Sequence, residues 1–149
     1  MSFLYELWAH ECTRVFSDRL INVEDLALFE QLFFKTVEEE KITVLDPSRF
    51  DLHSNLFNFF SNYDPNAFEL TYDQAPNDET WNKQVEEILD LYNSGTKEPM
   101  SLMIFEYAVM HLSWLARIIA KPFGNGLLIG IGGNGRHCLT KLATFINQG

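Results

Sequence analysis

Sulfur is scarce in this chain. Its two cysteines, Cys12 and Cys138, lie far apart and in no metal-like spacing. A disulfide framework or thiolate cage needs more than that, so reduced thiols in an intracellular setting are expected. Basic residues are few as well: 11 Lys and Arg stand against 21 Asp and Glu, a formal net charge of −10. Nucleic acid and anionic membrane surfaces would be repelled, and neither is an expected partner. Small anions such as nucleotides stay open, because backbone N–H groups bind them locally whatever the total charge. No apolar run reaches the roughly 18 residues of a membrane span. The start, "MSFLYELWAHECTRVF", lacks the basic opening and unbroken apolar core of a signal peptide. A soluble chain without internal repeats or low-complexity tracts is the expectation.

What is present is a globular composition, 46% hydrophobic and 14% aromatic. A chain of this length can form one domain that buries about two-thirds of its unfolded surface. The apolar spacing predicts mainly helix. Over residues 3–20, Leu4, Leu7, Trp8, Cys12, Val15 and Phe16 recur at three and four, the pattern of an amphipathic helix. Asn22 reads as an N-cap with Glu24 and Asp25 in the first turn. The helix it opens is expected to bury Leu26, Phe29, Phe33 and Val37, and to end in the solvated run Glu38-Glu39-Glu40. Residues 41–77 read as irregular, with "ITVL" expected as a short strand and "DLHSNLFNFF" as a short helix carrying Leu52, Leu56, Phe59 and Phe60. "AFELTY" alternates Phe68, Leu70 and Tyr72 as an extended segment would, closed by Pro76-Asn77-Asp78. A helix over about 78–93 should face inward with Trp81, Val85, Ile88, Leu89 and Tyr92. A further helix is expected from Pro99, with Leu102, Phe105, Val109, Leu112, Leu115 and Ile119 on its apolar face. Lys121-Pro122-Phe123-Gly124 stops it. A short strand from Leu127 to Ile131, a glycine-rich turn and a helix to about Asn147 complete the chain.

The glycine-rich turn carries the chemistry. "GIGGNGRH" aligns with the phosphate-loop pattern GxxxxGK[ST] at Gly130 and Gly135, between a predicted strand and a helix. Glycines suit such a loop because the backbone must wrap a phosphate with its N–H groups inward, and the following helix adds its positive end. Arg136 replaces the usual lysine, keeping the charge but presenting a planar fork. His137 replaces the hydroxyl that would ligate magnesium, and a hard cation prefers oxygen, so magnesium is not expected to be held. Gly130, Gly132 and Gly135 also fit GxGxxG, although that fingerprint needs an acidic residue about 20 positions on. A tight turn without a ligand is the third reading. "HECTR" at 10–14 has Arg14 where a zinc-protease motif needs its second histidine, and His53 and His111 are isolated; no metal site is expected.

Two longer stretches resemble a known family. "ELWAHECTRVFSDRLINVEDLALF" is similar to the C-terminal helical lid of the third AAA+ module of dynein heavy chains. "EEILDLYNSGTKEPMSLMIFEYAVMHLSWLARIIAKPFGNGLLIGIGGNGRHCLTKLATFI" resembles the start of their fourth module, especially in axonemal heavy chains. Together they cover roughly residues 4–148, most thinly over 41–77. The resemblance implies lid-like helices over 1–40, a linker over 41–77 and the N-terminal part of a fourth module over 78–149. It implies a mainly α chain whose strand, phosphate loop and helix begin an incomplete α/β module. Axonemal chains often carry arginine or lysine followed by glutamine in this loop, so Arg136 fits, while Asn134, His137 and Cys138 depart from the pattern.

By the same resemblance, weak ATP or ADP binding would fall to Gly130, Gly132, Gly133, Asn134, Gly135, Arg136 and His137. Arg14 falls where the third module's lid would present a sensor arginine; a surface helix arginine is the plainer reading. Hydrolysis needs a carboxylate on magnesium and a group that positions water. No Asp or Glu follows Glu106, so the chain alone is not expected to be an enzyme, and a complete small kinase or GTPase is excluded. Two functions stay open. One is a fragment or short isoform related to an axonemal dynein heavy chain, giving a degenerate nucleotide loop to a microtubule motor in the full-length context. Its setting would be the cytoplasm, cytoskeleton and cilium axoneme. Its partners would be the remainder of a heavy chain or other dynein subunits, and microtubules only indirectly. The other is a stand-alone helical interaction protein that binds dynein components and no nucleotide.

Overall fold

The computed structural model describes residues 2–53, 56–66, 70–75, 80–133 and 135–148. The chain is mainly helical and divides into two compact units, Met1–Phe57 and Asn58–Gly149. Among the described residues the one sheet pairs two short strands, β1 (Phe57–Asn58) and β2 (Asp73–Gln74). No described helix is long and apolar enough to cross a membrane.

The first unit is built on α1 (Ser2–Cys12) and α2 (Val23–Glu39). A π-helical turn, Thr13–Ser17, follows α1 and closes with the Asp18 N–H donating to the Thr13 carbonyl at 3.1 Å. The buried stripe is Ala9, His10, Thr13 and Ser17, not the apolar face expected from spacing: Leu4, Val15 and Phe16 are 68%, 52% and 56% exposed. Polar members of that stripe are accommodated individually. Thr13 Oγ1 donates to the Ala9 carbonyl at 3.0 Å, and the His10 ring packs at 5.5 Å from that of Phe57. Ala9 then meets Phe33, Val37, Leu45 and Leu52 in one apolar cluster, with Cys12, Phe29, Phe34, Ile42 and Phe50 at its edge.

Asn22 stands at the N-cap of α2 in extended conformation, its carbonyl accepting from the Leu26 N–H at 3.1 Å. Its side chain turns to the Asp25 carboxylate at 3.1 Å instead of capping the helix backbone. "ITVL" is not a strand; Thr43–Leu45 form a 3-10 turn that drives Leu45 into the cluster. The helix expected in "DLHSNLFNFF" is absent among its described residues. Asp51 Oδ1 accepts from the His53 N–H at 2.9 Å, and Asn58 Oδ1 accepts from the N–H groups of Phe60 and Ser61 at 2.9 and 2.7 Å. Such side-chain acceptors compete with the helical ladder and win here. Phe68, Pro76, Asn77 and Asp78 lie outside the described residues.

In the second unit α3 (Thr80–Gly95), α4 (Glu106–Ala120) and α5 (Arg136–Gln148) pack on one another. Leu139, Leu142, Ala143 and Ile146, at helical spacing on α5, are all buried, as are Val109, Leu112, Leu115 and Ala116 of α4. Asn147 Nδ2 ties the two helices by donating to the Ala116 carbonyl at 3.2 Å. Tyr92 of α3 meets Phe145 of α5 edge-on at 5.4 Å.

α4 starts at Glu106 and not at Pro99. Asn93 explains the delay: its Nδ2 donates to the Met100 carbonyl at 3.0 Å and its Oδ1 accepts the Met100 N–H at 2.9 Å. Both backbone groups of Met100 are thereby withdrawn from a helix. Phe105 remains extended at the N-cap. The strand expected at Leu127–Ile131 does not form, because no described backbone pairs with it; Leu127, Ile129 and Ile131 are 85% exposed or more.

Candidate functional site

The glycine turn owes its shape to residues on both sides. Upstream, α4 ends at Ala120, and Phe123 takes a positive φ of 60° while Gly124 donates to the Lys121 carbonyl at 2.9 Å. Gly124 lies so close to the end of α4 that an added Cβ would sit 1.8 Å from the Ile118 carbonyl oxygen. Only glycine fits that approach. The chain then runs exposed from Asn125 to Gly133.

Gly133 and Gly135 both hold the left-handed conformation, with φ of 85° and 76°, a region that L side chains resist. Nothing lies within 4 Å of a Cβ built at Gly132 or Gly133, whereas one at Gly135 would meet Leu102 Cδ1 at 3.3 Å. The loop is therefore open on one side and propped by Leu102 on the other. Leu102 was not among the residues that the sequence suggested for this site. Its position follows from the Asn93–Met100 clip, which no short motif announces.

The Gly135 carbonyl accepts the Leu139 N–H at 2.9 Å and so opens α5. The first N–H groups of a helix have no partner within it, and the aligned peptide dipoles put partial positive charge there. Arg136 and His137 are the first two residues of α5. His137 is exposed and Cys138 half-buried. The Arg136 guanidinium folds back on the chain that enters the turn: Nη1 donates to the Leu128 carbonyl at 3.3 Å and Nη2 to that of Ile131 at 3.4 Å. Thr140, the nearest hydroxyl on α5, donates to the Arg136 carbonyl at 2.8 Å.

Gly130, Gly132 and Gly133 thus lie on the exposed chain that enters the turn, Gly135 precedes α5 and Arg136 and His137 open it, while Asn134 lies outside the described residues. The shape suits an oxyanion held by backbone N–H groups. At the position of the usual hydroxyl stands the His137 imidazole, a poor partner for magnesium, and the Thr140 hydroxyl donates to its own helix. Among the described residues no three His, Cys, Asp or Glu side chains come together to hold a metal.

Arg14 belongs to the first unit. Its side chain is 7% exposed and its Nη2 lies 3.0 Å from Asp18 Oδ1, so it is a buried, ion-paired arginine and not a surface one. His10 of "HECTR" is core, 2% exposed.

Residues 100–149 match the family described as P-loop containing dynein motor region D4, a match that takes in α4, the glycine turn and α5. The stretch that holds the glycine turn is therefore similar to a dynein-type P-loop region. Over 151 aligned residues the chain is 37% identical to dynein axonemal heavy chain 3 of Mus musculus, which uses 95% of this chain and 4% of that relative. It is 36% identical to the ciliary dynein beta chain of Tripneustes gratilla, over 95% of this chain and 3% of that protein. With dynein axonemal heavy chain 6 of Homo sapiens the identity is 34%, over 96% and 3%. The chain belongs to the dynein heavy-chain family and spans only 3 to 4% of the length of these relatives.

Proposed function

We propose that residues 1–149 form the seam between two AAA+ modules of an axonemal-type dynein heavy chain. Residues 1–40 are the lid helices of the third module, 41–77 a linker, and 78–149 the start of the fourth. In this reading the loop from Gly130 to His137 takes the phosphates of ADP or ATP on backbone N–H groups and on the positive end of α5. The observation that carries it is the pair of left-handed glycines, Gly133 and Gly135, placed directly before that helix.

Binding is the contribution of this segment, and hydrolysis is not. Residues 107–149 carry no Asp or Glu, so in this reading the carboxylate on magnesium and the group that positions water are not supplied by these residues. The names of the relatives, axonemal and ciliary, support a place on the cytoskeleton of the cilium axoneme. The remainder of a heavy chain or other dynein subunits would be the direct partners, and microtubules would be engaged only through them.

A second reading, a helical interaction protein that ignores nucleotide, is favoured by one observation: Leu4, Val15, Phe16, Leu28 and Leu32 are all more than half exposed. Such apolar surface marks interaction sites. Calorimetric titration with ADP and with ATP, each with and without magnesium, separates the two. Micromolar binding that is indifferent to magnesium and abolished by Gly135→Asp supports the cradle. Absence of binding by the folded chain leaves the interaction reading.

A further inference from the structure

The residue at the lysine position of the loop does something other than face a phosphate. Among the described residues, the two bonds from the Arg136 guanidinium are the only hydrogen bonds that reach the backbone of residues 127–133. That stretch is exposed throughout and paired with no strand. Arg136 itself is half-buried, at the first position of a helix whose inner face is fixed in the core of its unit. It therefore offers an anchored donor to a segment whose backbone is otherwise unpaired among the described residues.

We propose that Arg136 is a positioning residue for the loop: by joining the Leu128 and Ile131 carbonyls to the first turn of α5, it sets the course of the entering chain, residues 128–133, and leaves phosphate contact to the backbone N–H groups. The two carbonyls are three residues apart, and one planar fork with two outward nitrogens spans them. A lysine ammonium is a single point on a flexible stem and cannot hold both in a fixed relation. The side chain that elsewhere would serve as a counter-charge is here a brace. What it implies for the ligand rests on the proposed phosphate cradle; the brace itself does not.

The substitution Arg136→Lys separates brace from counter-charge, because it keeps the charge and removes the fork. Backbone 15N relaxation on the ligand-free, full 149-residue chain reads the brace directly. In the native chain residues 129–133 should have order parameters near those of rigid backbone, about 0.85, and in Arg136→Lys and Arg136→Gln they should fall below about 0.6. The amides of α4 and α5 should be unaltered, which reports that the variants remain folded. Unchanged order parameters in Arg136→Lys overturn the proposal.

ADP titration supplies a second readout. A brace predicts at least about ten-fold weaker binding in Arg136→Lys, and binding as tight as in the native chain, or tighter, overturns it. If the native chain binds no ADP, the proposed cradle is what fails, and relaxation alone decides the role of Arg136.

Discussion

Alanine placed in turn at Gly132, Gly133 and Gly135 tests the loop geometry, because the three sites differ in known ways. Gly132 has no positive φ and nothing within 4 Å of an added Cβ. Its replacement should be neutral or stabilising by about 0.4–1 kcal/mol, since alanine reduces the freedom of the unfolded chain. Gly133, at φ 85° and equally open, isolates backbone strain. Holding an L-residue in the left-handed region costs roughly 1–2 kcal/mol, and the unfolded-chain gain offsets part of that, so a net loss near 1 kcal/mol is expected. Gly135 adds the Leu102 contact at 3.3 Å to a φ of 76°. Because the atom met is the end of a flexible side chain, the contact should add about 0.5 kcal/mol at most, a fraction of a typical overpacking cost. The double variant Leu102→Ala with Gly135→Ala should lose that coupling and keep the strain. Urea unfolding followed at α4 and α5 amides reads the second unit by itself. Equal effects at Gly132 and Gly133, or a Gly135→Ala chain as stable as the native one, would refute the assigned backbone conformation.

Other consequences are more local. Leu142→Ala empties a fully buried position on α5 and should cost about 2–5 kcal/mol, whereas Leu4→Ala, at a 68% exposed site, should stay within about 0.5 kcal/mol of native; chemical denaturation of both variants checks the contrast. The Asp46 carboxylate accepts the Ser48 N–H at 2.9 Å and the Ser48 hydroxyl at 2.7 Å, and these bonds hold its pKa below the ordinary 3.8. Its contribution is thus present above the unfolded value and lost as pH falls through the lower folded one, and the Ser48 amide resonance should titrate with a midpoint under 3.8. Burial, helped by the neighbouring Glu11 charge, pushes the Cys12 thiol above its usual 9.0. Less thiolate at neutral pH means slower attack, so iodoacetamide should label Cys12 in the folded chain more slowly than in urea, as read by mass spectrometry.

The sequence spoke most clearly where a helix buries one face by itself. In α5, and over Val109, Leu112 and Leu115 of α4, apolar spacing and burial coincide, because period and packing express the same stripe. In α1 they part: the apolar residues at three and four stay exposed while Ala9, His10, Thr13 and Ser17 go inward. Thr13 and the π turn make this workable by satisfying polar groups within the helix, and hydrophobic spacing carries no record of such bonds. Asx bonds at Asp51 and Asn58 displaced a predicted helix for the same reason. Leu127–Ile131 has the composition of a strand, but a ladder needs a second backbone, which composition cannot supply. At the site, the glycines and Arg136 were legible as a phosphate-loop pattern. The Leu102 prop and the folding back of Arg136 were not, since each depends on where a distant or flexible side chain comes to rest.

The most direct test of the central claim, that the glycine turn before α5 receives nucleotide phosphate on its backbone, is an amide chemical-shift map of the chain titrated with ADP. The largest saturable shifts should fall on the amides of Gly132, Gly133, Gly135, Arg136 and His137, with α1 and α2 unmoved. Shifts spread over the first unit, or none in a chain whose spectrum is that of a folded protein, would contradict it.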